Sequence, residues 1–261
     1  MTFFLLSMVL VAGTFAIVRP AMVAPRSIPL VGATGSHAII LATALAAIAL
    51  TFDLLTSASV FLALAIHEMG LVLGHRLAGH DGARFRFLPM PRTGPVSTDP
   101  QDSDLSHFFV TLMGPALGLA PMVAAFALSD LFPGHPLQQL FGTTALSIGA
   151  FNFIALLPVW PLPGGTLVQL LVRPGLPRVS PLPAAVFFAG MASLGWASGT
   201  PALFLFALIG TLAYVIRPPL PSGRPPMTLA HLRLAIPAYL AILSAYFLGG
   251  WWVLLLITGR F

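Results

Sequence analysis

Residues 57–78 read SASVFLALAIHEMGLVLGHRLA, and this stretch decides how the chain folds. It is long and apolar enough for a transmembrane helix, which needs about 20 predominantly apolar residues. Its second half carries His67 and Glu68, about nine residues or ~13 Å of helix before Arg76. Ionisable side chains at that depth are costly to bury and mark a candidate functional site. Glu68 is also the only glutamate in the protein.

The whole chain has the composition of a protein that crosses a membrane several times. Of its 261 residues, 57% are hydrophobic and 7% are charged, and the mean hydropathy is +0.96. A globular domain has about 25% charged residues, so a soluble protein is excluded. Eight apolar runs lie at residues 2–18, 37–55, 57–78, 107–131, 141–160, 184–197, 201–216 and 234–257. The sequence predicts an all-α polytopic membrane protein of about eight spans, or seven if residues 184–216 form one broken element.

The arginines predict the topology, because all twelve basic residues are arginine. With eight spans, eleven of them fall on one side and only Arg260 on the other. Positive residues accumulate on the cytoplasmic side, which places both termini outside. The pI of 11.1 would suit nucleic-acid binding in a soluble domain. Because the arginines occur singly at span ends, topology explains them better, and we expect no nucleic-acid partner. The apolar spans place the protein in the cell membrane, as in a bacterial inner membrane.

A polar insertion at residues 79–106 follows the third span. Within it, ARFRFLPMP at residues 83–91 alternates arginine with Phe85 and Phe87, which is the period of a β-strand. The prolines that follow confine such a strand to a sheet edge. Asp99, Asp102 and Asp104 then favour the N-terminus of the fourth span, with calcium binding as an alternative. We therefore expect a small β-like, membrane-associated segment after the third span.

Three motifs follow one another in the middle of the chain. They are HEMG at residues 67–70, Gly114-Pro115, and a segment from Asn152 through Leu157-Pro158 and Pro161-Leu162 to Gly164-Gly165. Together they resemble the site-2 protease family of intramembrane zinc metalloproteases, which carries HExxH, a Gly-Pro-rich packing motif and a third motif that supplies the last ligand. The resemblance implies a site-2-protease-like core at residues 57–171, N-terminal spans at 1–56 and C-terminal spans at 172–261.

The departures from that pattern concern the metal. In HExxH, two histidines at i and i+4 bind one zinc ion and the glutamate acts as general base. Here Leu71 stands at the second histidine, Pro163 at the family's aspartate ligand, and Gly118 at the asparagine of its Gly-Pro motif. A catalytic zinc needs three protein ligands, of which His67 alone remains. His75 lies ~12 Å along the helix, too far for zinc–nitrogen bonds of about 2 Å.

The remaining candidates offer no clear replacement. His80 lies farther along the chain than His75, and a contribution from His107 at the start of the fourth span has no motif to support it. The chain has no cysteine, so disulfides, Cys-ligated zinc and thiol catalysis are excluded. We expect no cofactor, although zinc stays open as an alternative.

Each retained residue has two interpretations. Glu68 is a vestigial catalytic base or a protonated carboxyl hydrogen-bonded within the bundle, since burial disfavours the charged form. His67 is a weak, vestigial metal ligand or a hydrogen-bonded interior histidine. Structural roles are expected for the rest: close packing at Gly114 and Gly118, irregular backbone at Pro158, Pro161, Pro163 and Gly164-Gly165, and interfacial positions for His75, Arg76 and His80.

These residues lead to a pseudoprotease as the first functional hypothesis. Such a protein keeps the fold, has lost zinc-dependent proteolysis, and acts as a scaffold, assembly factor or accessory subunit among other integral membrane proteins in the bilayer. One alternative is an active intramembrane metalloendopeptidase with non-standard ligands. A second is a proton-relay or transport protein, because His and Glu are typical relay residues in membranes. Asp53 lies near the outer end of the second span, and it could equally cap the hairpin after it.

Overall fold

The structure is a computed structural model that describes most of the chain. The described residues are 2–23, 27–32, 34–87, 94–159, 162–175, 182–200, 203–204, 207–208, 210–212 and 223–250. Within them the helices are α1 (Thr2–Met22), α2 (Gly35–Thr51), α3 (Leu54–Leu77), α4 (Asp104–Leu131), α5 (Pro136–Leu156), α6 (Pro163–Val172), α7 (Leu182–Ala197) and α8 (Leu229–Gly250). The two strands are β1 (Leu30–Val31) and β2 (Phe85–Arg86).

The helices confirm the predicted class of protein. Among the described residues, α1, α3, α4, α5 and α8 are long and apolar enough to cross a membrane. The apolar helices α2, α6 and α7 are shorter than that. Residues 203–204, 207–208 and 210–212 of the predicted 201–216 span are helical, and the rest of that span lies outside the described residues. The fold is therefore an all-α membrane type, and the count of eight spans stays a prediction.

The chain forms two compact units. One comprises Met1–Pro100 and Met113–Asn152, and the other comprises Gln101–Leu112 and Phe153–Phe261. The segment 57–171, which carries the three motifs, contributes to both units. In the first unit, Val18 and Ala21 of α1 pack against Leu73 of α3. The C-terminal ends of α1 and α3 therefore lie together.

The predicted strand is present, and it pairs with a partner that the sequence did not reveal. β2 runs parallel to β1, with Leu30 opposite Phe85 and Val31 opposite Arg86. The Phe85 N–H donates to the Pro29 carbonyl, and the Phe87 N–H donates to the Val31 carbonyl, both at 2.9 Å. Each strand is two residues long, so β1 has no periodicity from which it could be predicted.

Asp53 starts the helix that carries the His-Glu pair. Its side chain accepts hydrogen bonds from the Thr56 backbone N–H at 2.6 Å and from the Thr56 hydroxyl at 3.0 Å. An aspartate at this position satisfies one of the free N–H groups of the first helical turn. The bond from the Thr56 N–H lowers the pKa of Asp53 below its ordinary value. Of its two proposed roles, Asp53 has the capping one.

The second unit contains a buried ion cluster around Asp104, the first residue of α4. Its carboxylate accepts hydrogen bonds from Arg173 at 2.5 Å and from Arg224 at 3.3 Å. The Asp104 side chain is fully buried, and its backbone N–H donates to the Pro225 carbonyl at 3.1 Å. Topology was the only role assigned to Arg173 and Arg224 from the sequence. They also hold this carboxylate.

One prediction about the third motif was wrong. Gly164 and Gly165 are not irregular backbone, because both lie buried in the first turn of α6. Pro163 occupies the first helical position, where its fixed φ suits a helix and its missing N–H costs nothing. A side chain at Gly164 would collide with the backbone of Leu156 and Leu157. The glycine therefore allows α6 to turn closely against the end of α5.

Candidate functional site

The site is built around Glu68, whose carboxylate is held by an arginine. Arg86 Nε donates to Glu68 Oε1 at 2.5 Å, and Arg86 Nη2 donates to Oε2 at 3.0 Å. The Glu68 side chain is 2% exposed and that of Arg86 is 17% exposed. Two parallel hydrogen bonds from one guanidinium are the strongest form of this contact. Because arginine stays protonated in proteins, the contact is an ion pair. The neutral, protonated carboxyl considered from the sequence does not fit these contacts.

The strand pair delivers Arg86 to this position. Arg86 is the second residue of β2 and lies opposite Val31 of β1. Phe87, which follows it, meets Phe61 of α3 edge to face with ring centroids 6.4 Å apart. Arg86 Nη1 also lies 3.5 Å from the Gly94 carbonyl. The insertion after α3 therefore folds back onto α3 and presents a cation to its only glutamate.

His67 is held by Asn152, the only asparagine in the chain. Its Nδ1 lies 2.9 Å from Asn152 Oδ1, and Asn152 Nδ2 donates to the Ile148 carbonyl at 3.0 Å. That second bond fixes the orientation of the amide, because a carbonyl accepts only from the NH2 group. Nδ1 of His67 therefore donates, and Nε2 carries the lone pair. The Phe151 ring lies nearly perpendicular to the imidazole, with ring centroids 5.5 Å apart.

Two glycines bring α3 and α4 together beside His67. An ideal Cβ at Gly114 would lie 2.9 Å from His67 Nε2 and 3.0 Å from Leu71 Cδ2. A Cβ at Gly70 would lie 2.7 Å from the Gly114 carbonyl oxygen and would also collide with the Met113 carbonyl. The packing role predicted for Gly114 is therefore confirmed. Gly70 has the same role, which was not predicted.

The residues around His67 do not fit a catalytic zinc ion. Its free Nε2 faces Gly114 and the methyl groups of Leu71, neither of which supplies a donor side chain. The neighbouring carboxylate of Glu68 is bound by Arg86. Pro163, which stands where the resemblance would place a third ligand, is the first residue of α6 and has no side-chain donor. Within the described residues, no three His, Cys, Asp or Glu side chains are grouped so that they could hold a metal ion.

The polar residues at the end of α3 make contacts within the protein, and their interfacial position stays a prediction. Arg76 is buried and donates to the Ala21 carbonyl at 3.2 Å and to the Ser27 carbonyl at 2.9 Å. His80 is also buried, and its Nδ1 lies 3.1 Å from Nδ1 of His75. These contacts tie the chain after α1 and the start of the insertion to the end of α3.

His107 lies in the other unit, in the first turns of α4. It is close enough to Asp104 and Arg224 to feel both charges. Its Nδ1 is buried and has no hydrogen-bond partner among the described residues. His107 therefore lies near the Asp104 ion cluster.

Comparison with known proteins does not assign the chain to a family. No protein-family model, curated protein or solved structure gives a significant match to the sequence. The likeness to site-2 proteases therefore rests on the three motifs, and any function rests on the contacts of His67 and Glu68.

Replacing Asn152 by leucine tests how His67 is held. We expect Asn152→Leu to lower the free energy of unfolding by about 1–3 kcal/mol, because a buried Nδ1–H loses its only acceptor. Gln139→Leu is the matched control, since Gln139 is an exposed amide on the same helix. Thermal unfolding in detergent micelles, followed by circular dichroism, measures both. Equal melting temperatures for the two variants would contradict the assigned hydrogen bond.

Proposed function

We propose that this protein is a pseudoprotease: a membrane protein with a site-2-protease-like core that has lost zinc-dependent proteolysis. Its role would be to bind other integral membrane proteins, as a scaffold, assembly factor or accessory subunit. The observation that carries the proposal is the two-point ion pair between Arg86 and Glu68. A general base must accept a proton from water, and here both carboxylate oxygens are committed to a guanidinium.

The contacts of His67 support the same conclusion. Asn152 accepts a hydrogen bond from Nδ1, and a hydrogen bond of this kind also orients histidines that bind zinc. The space beside Nε2 is nevertheless filled by Gly114 and the aliphatic side chain of Leu71. The site therefore keeps the arrangement that orients a ligand and lacks the donors that would share the metal.

A proton relay is less well supported by these contacts. A relay needs a carboxyl that exchanges its proton with neighbouring groups across the membrane. Glu68 instead faces a permanent cation, and Asp53 is committed to the start of α3. We keep the pseudoprotease as the function that this arrangement favours.

We also infer a multi-pass topology of eight spans in the cell membrane, with both termini outside. The adjacent C-terminal ends of α1 and α3 support it, since Arg76 reaches the Ala21 carbonyl. Helices one and three must run in the same direction if α2 crosses back between them. This arrangement brings Arg19 and Arg76 to one side, as the positive-inside pattern requires.

Metal analysis tests the proposal directly. After dialysis against zinc and then buffer, we expect far less than one zinc ion per chain, measured by inductively coupled plasma mass spectrometry. Leu71→His should raise the zinc content, because histidines at i and i+4 share one helical face. Leu71→Met is the matched control, since it preserves the volume without supplying an imidazole. Stoichiometric zinc in the wild-type protein, with cleavage of a transmembrane substrate that Glu68→Gln abolishes, would overturn the proposal.

A further inference from the structure

A long apolar groove runs along the first unit, separate from the contacts of Glu68. It lies between α1, α3, α4 and α5 and has a volume of about 610 Å³. On α1 its lining extends from Met8 to Met22, and the 14 steps between these residues correspond to about 21 Å of helix. Among the described residues that line it, Thr14 and Thr144 are the polar ones.

The length and lining of the groove suit a lipid acyl chain. The lining is apolar apart from two threonines and follows α1 for about 21 Å. The acyl chains of one leaflet span about 15 Å, half of the hydrocarbon core, so one acyl chain fits within the length of the groove.

One end of the groove carries a free positive charge. Arg19 lies in the last turn of α1 and shares a helical face with Phe15 and Met22, which are four residues before it and three after it. Both of those residues line the groove. The Arg19 side chain is exposed, and it has no hydrogen-bond or ion-pair partner among the described residues. A cation at the mouth of an apolar channel complements an anionic headgroup attached to an acyl chain.

We propose that this groove binds one anionic phospholipid, with an acyl chain between α1 and α4 and its phosphate at Arg19. The bound acyl chain packs against the walls of the groove, which would otherwise contact disordered lipid. The arginine selects the charge of the headgroup, because a basic residue near an anionic headgroup favours its binding. The bound lipid therefore belongs to the leaflet on the arginine-rich side of the membrane.

The experiment compares phosphatidylglycerol with phosphatidylcholine of the same acyl chains. Each is titrated into delipidated protein in detergent, and the lipid-bound fraction is measured by native mass spectrometry. We expect phosphatidylglycerol to bind about fivefold more tightly, the scale of one basic residue at a membrane surface. Arg19→Gln should remove that preference. Arg233→Gln, which changes an exposed arginine of α8, should keep it.

A second pair of variants tests the groove itself. Ala124→Phe fills the groove from α4 and should weaken the binding of both lipids, whereas Ile17→Phe, on an exposed face of α1 outside the groove, should not. If Ala124→Phe does not fold, Ala124→Leu places a smaller obstruction at the same wall, and Val11→Phe obstructs the groove from α1. Equal affinity for the two lipids in the wild type would overturn the proposal. So would unchanged lipid binding in Ala124→Phe accompanied by a loss of dimer, which would assign the groove to a second copy.

Discussion

Arg86→Met should destabilise the protein by about 3–5 kcal/mol, although Arg86 lies in a polar insertion outside the helices. The reason is the partner that it leaves behind. Glu68 is almost fully buried in α3, and without the guanidinium its charge has no compensation. Removing one member of a buried ion pair typically costs this much, because the remaining charge stays out of water. Thermal unfolding in detergent, followed by circular dichroism, measures the loss.

Arg84→Met is the matched control for Arg86→Met. Arg84 is an arginine two residues earlier in the same insertion, and its Nε donates to the Pro95 carbonyl at 3.2 Å in an exposed setting. Its replacement should lower the free energy of unfolding by about 1 kcal/mol or less, the usual worth of one hydrogen bond. If Arg84→Met and Arg86→Met lower the stability equally, the ion pair does not hold Glu68.

The double variant separates the loss of the pair from the loss of packing. Replacing both members of a buried ion pair by apolar residues of similar size is often neutral. We therefore expect Glu68→Met with Arg86→Met to be more stable than Arg86→Met alone. The coupling energy of this cycle should reach several kcal/mol if the two residues act as one unit. Additive effects would contradict the ion pair.

The helices could be predicted because their signals are local. The third span was expected at residues 57–78, and α3 runs from Leu54 to Leu77. A continuous apolar run fixes such a helix within a few residues. The strand at Phe85 was predicted from the alternation of phenylalanine and arginine. Its partner at Leu30 could not be, because a two-residue strand carries no period and its pairing joins residues 55 positions apart.

The residues of the site could be predicted from the sequence, but their contacts could not. The HEMG motif pointed to His67 and Glu68, and the third motif included Asn152. Which groups those residues contact depends on tertiary structure: Arg86 is 18 residues from Glu68, and Asn152 is 85 residues from His67. A buried glutamate requires a cation, and the insertion after α3 carries three arginines, so the sequence contains a signal for the ion pair. It does not show which arginine reaches Glu68, because Arg76 lies nearer along the chain than Arg86.

Together, the ion pair and the close packing describe a site stabilised as part of the core. Glu68 contributes to stability through Arg86, and His67 lies against Gly114 with Leu71 beside it. In an active metalloprotease these positions would stay accessible to metal and water. Here they are filled by the protein's own groups. The stability of this core therefore requires α3 and α4 to approach each other closely.

Gly70→Ala tests that requirement, and we expect it to lower the free energy of unfolding by about 2 kcal/mol. The added methyl group would meet backbone atoms of Met113 and Gly114 on α4, with 2.9 Å to the Gly114 Cα. Backbone cannot rotate away as a side chain can, so the two helices must separate. Overpacking of this kind costs typically 1–3 kcal/mol, and the smaller gain in helix propensity from alanine offsets part of it.

Gly13→Ala is the control for Gly70→Ala, because it places the same methyl group on a membrane helix where no atom lies within 4 Å. It should leave the stability unchanged or raise it slightly, since alanine is the better helix former. Gly70→Leu should be worse than Gly70→Ala, because a larger side chain forces a wider separation of α3 and α4. Thermal unfolding of the four proteins in one detergent gives the ranking. If Gly70→Ala has the same melting temperature as Gly13→Ala, the close contact between α3 and α4 at Gly114 does not exist.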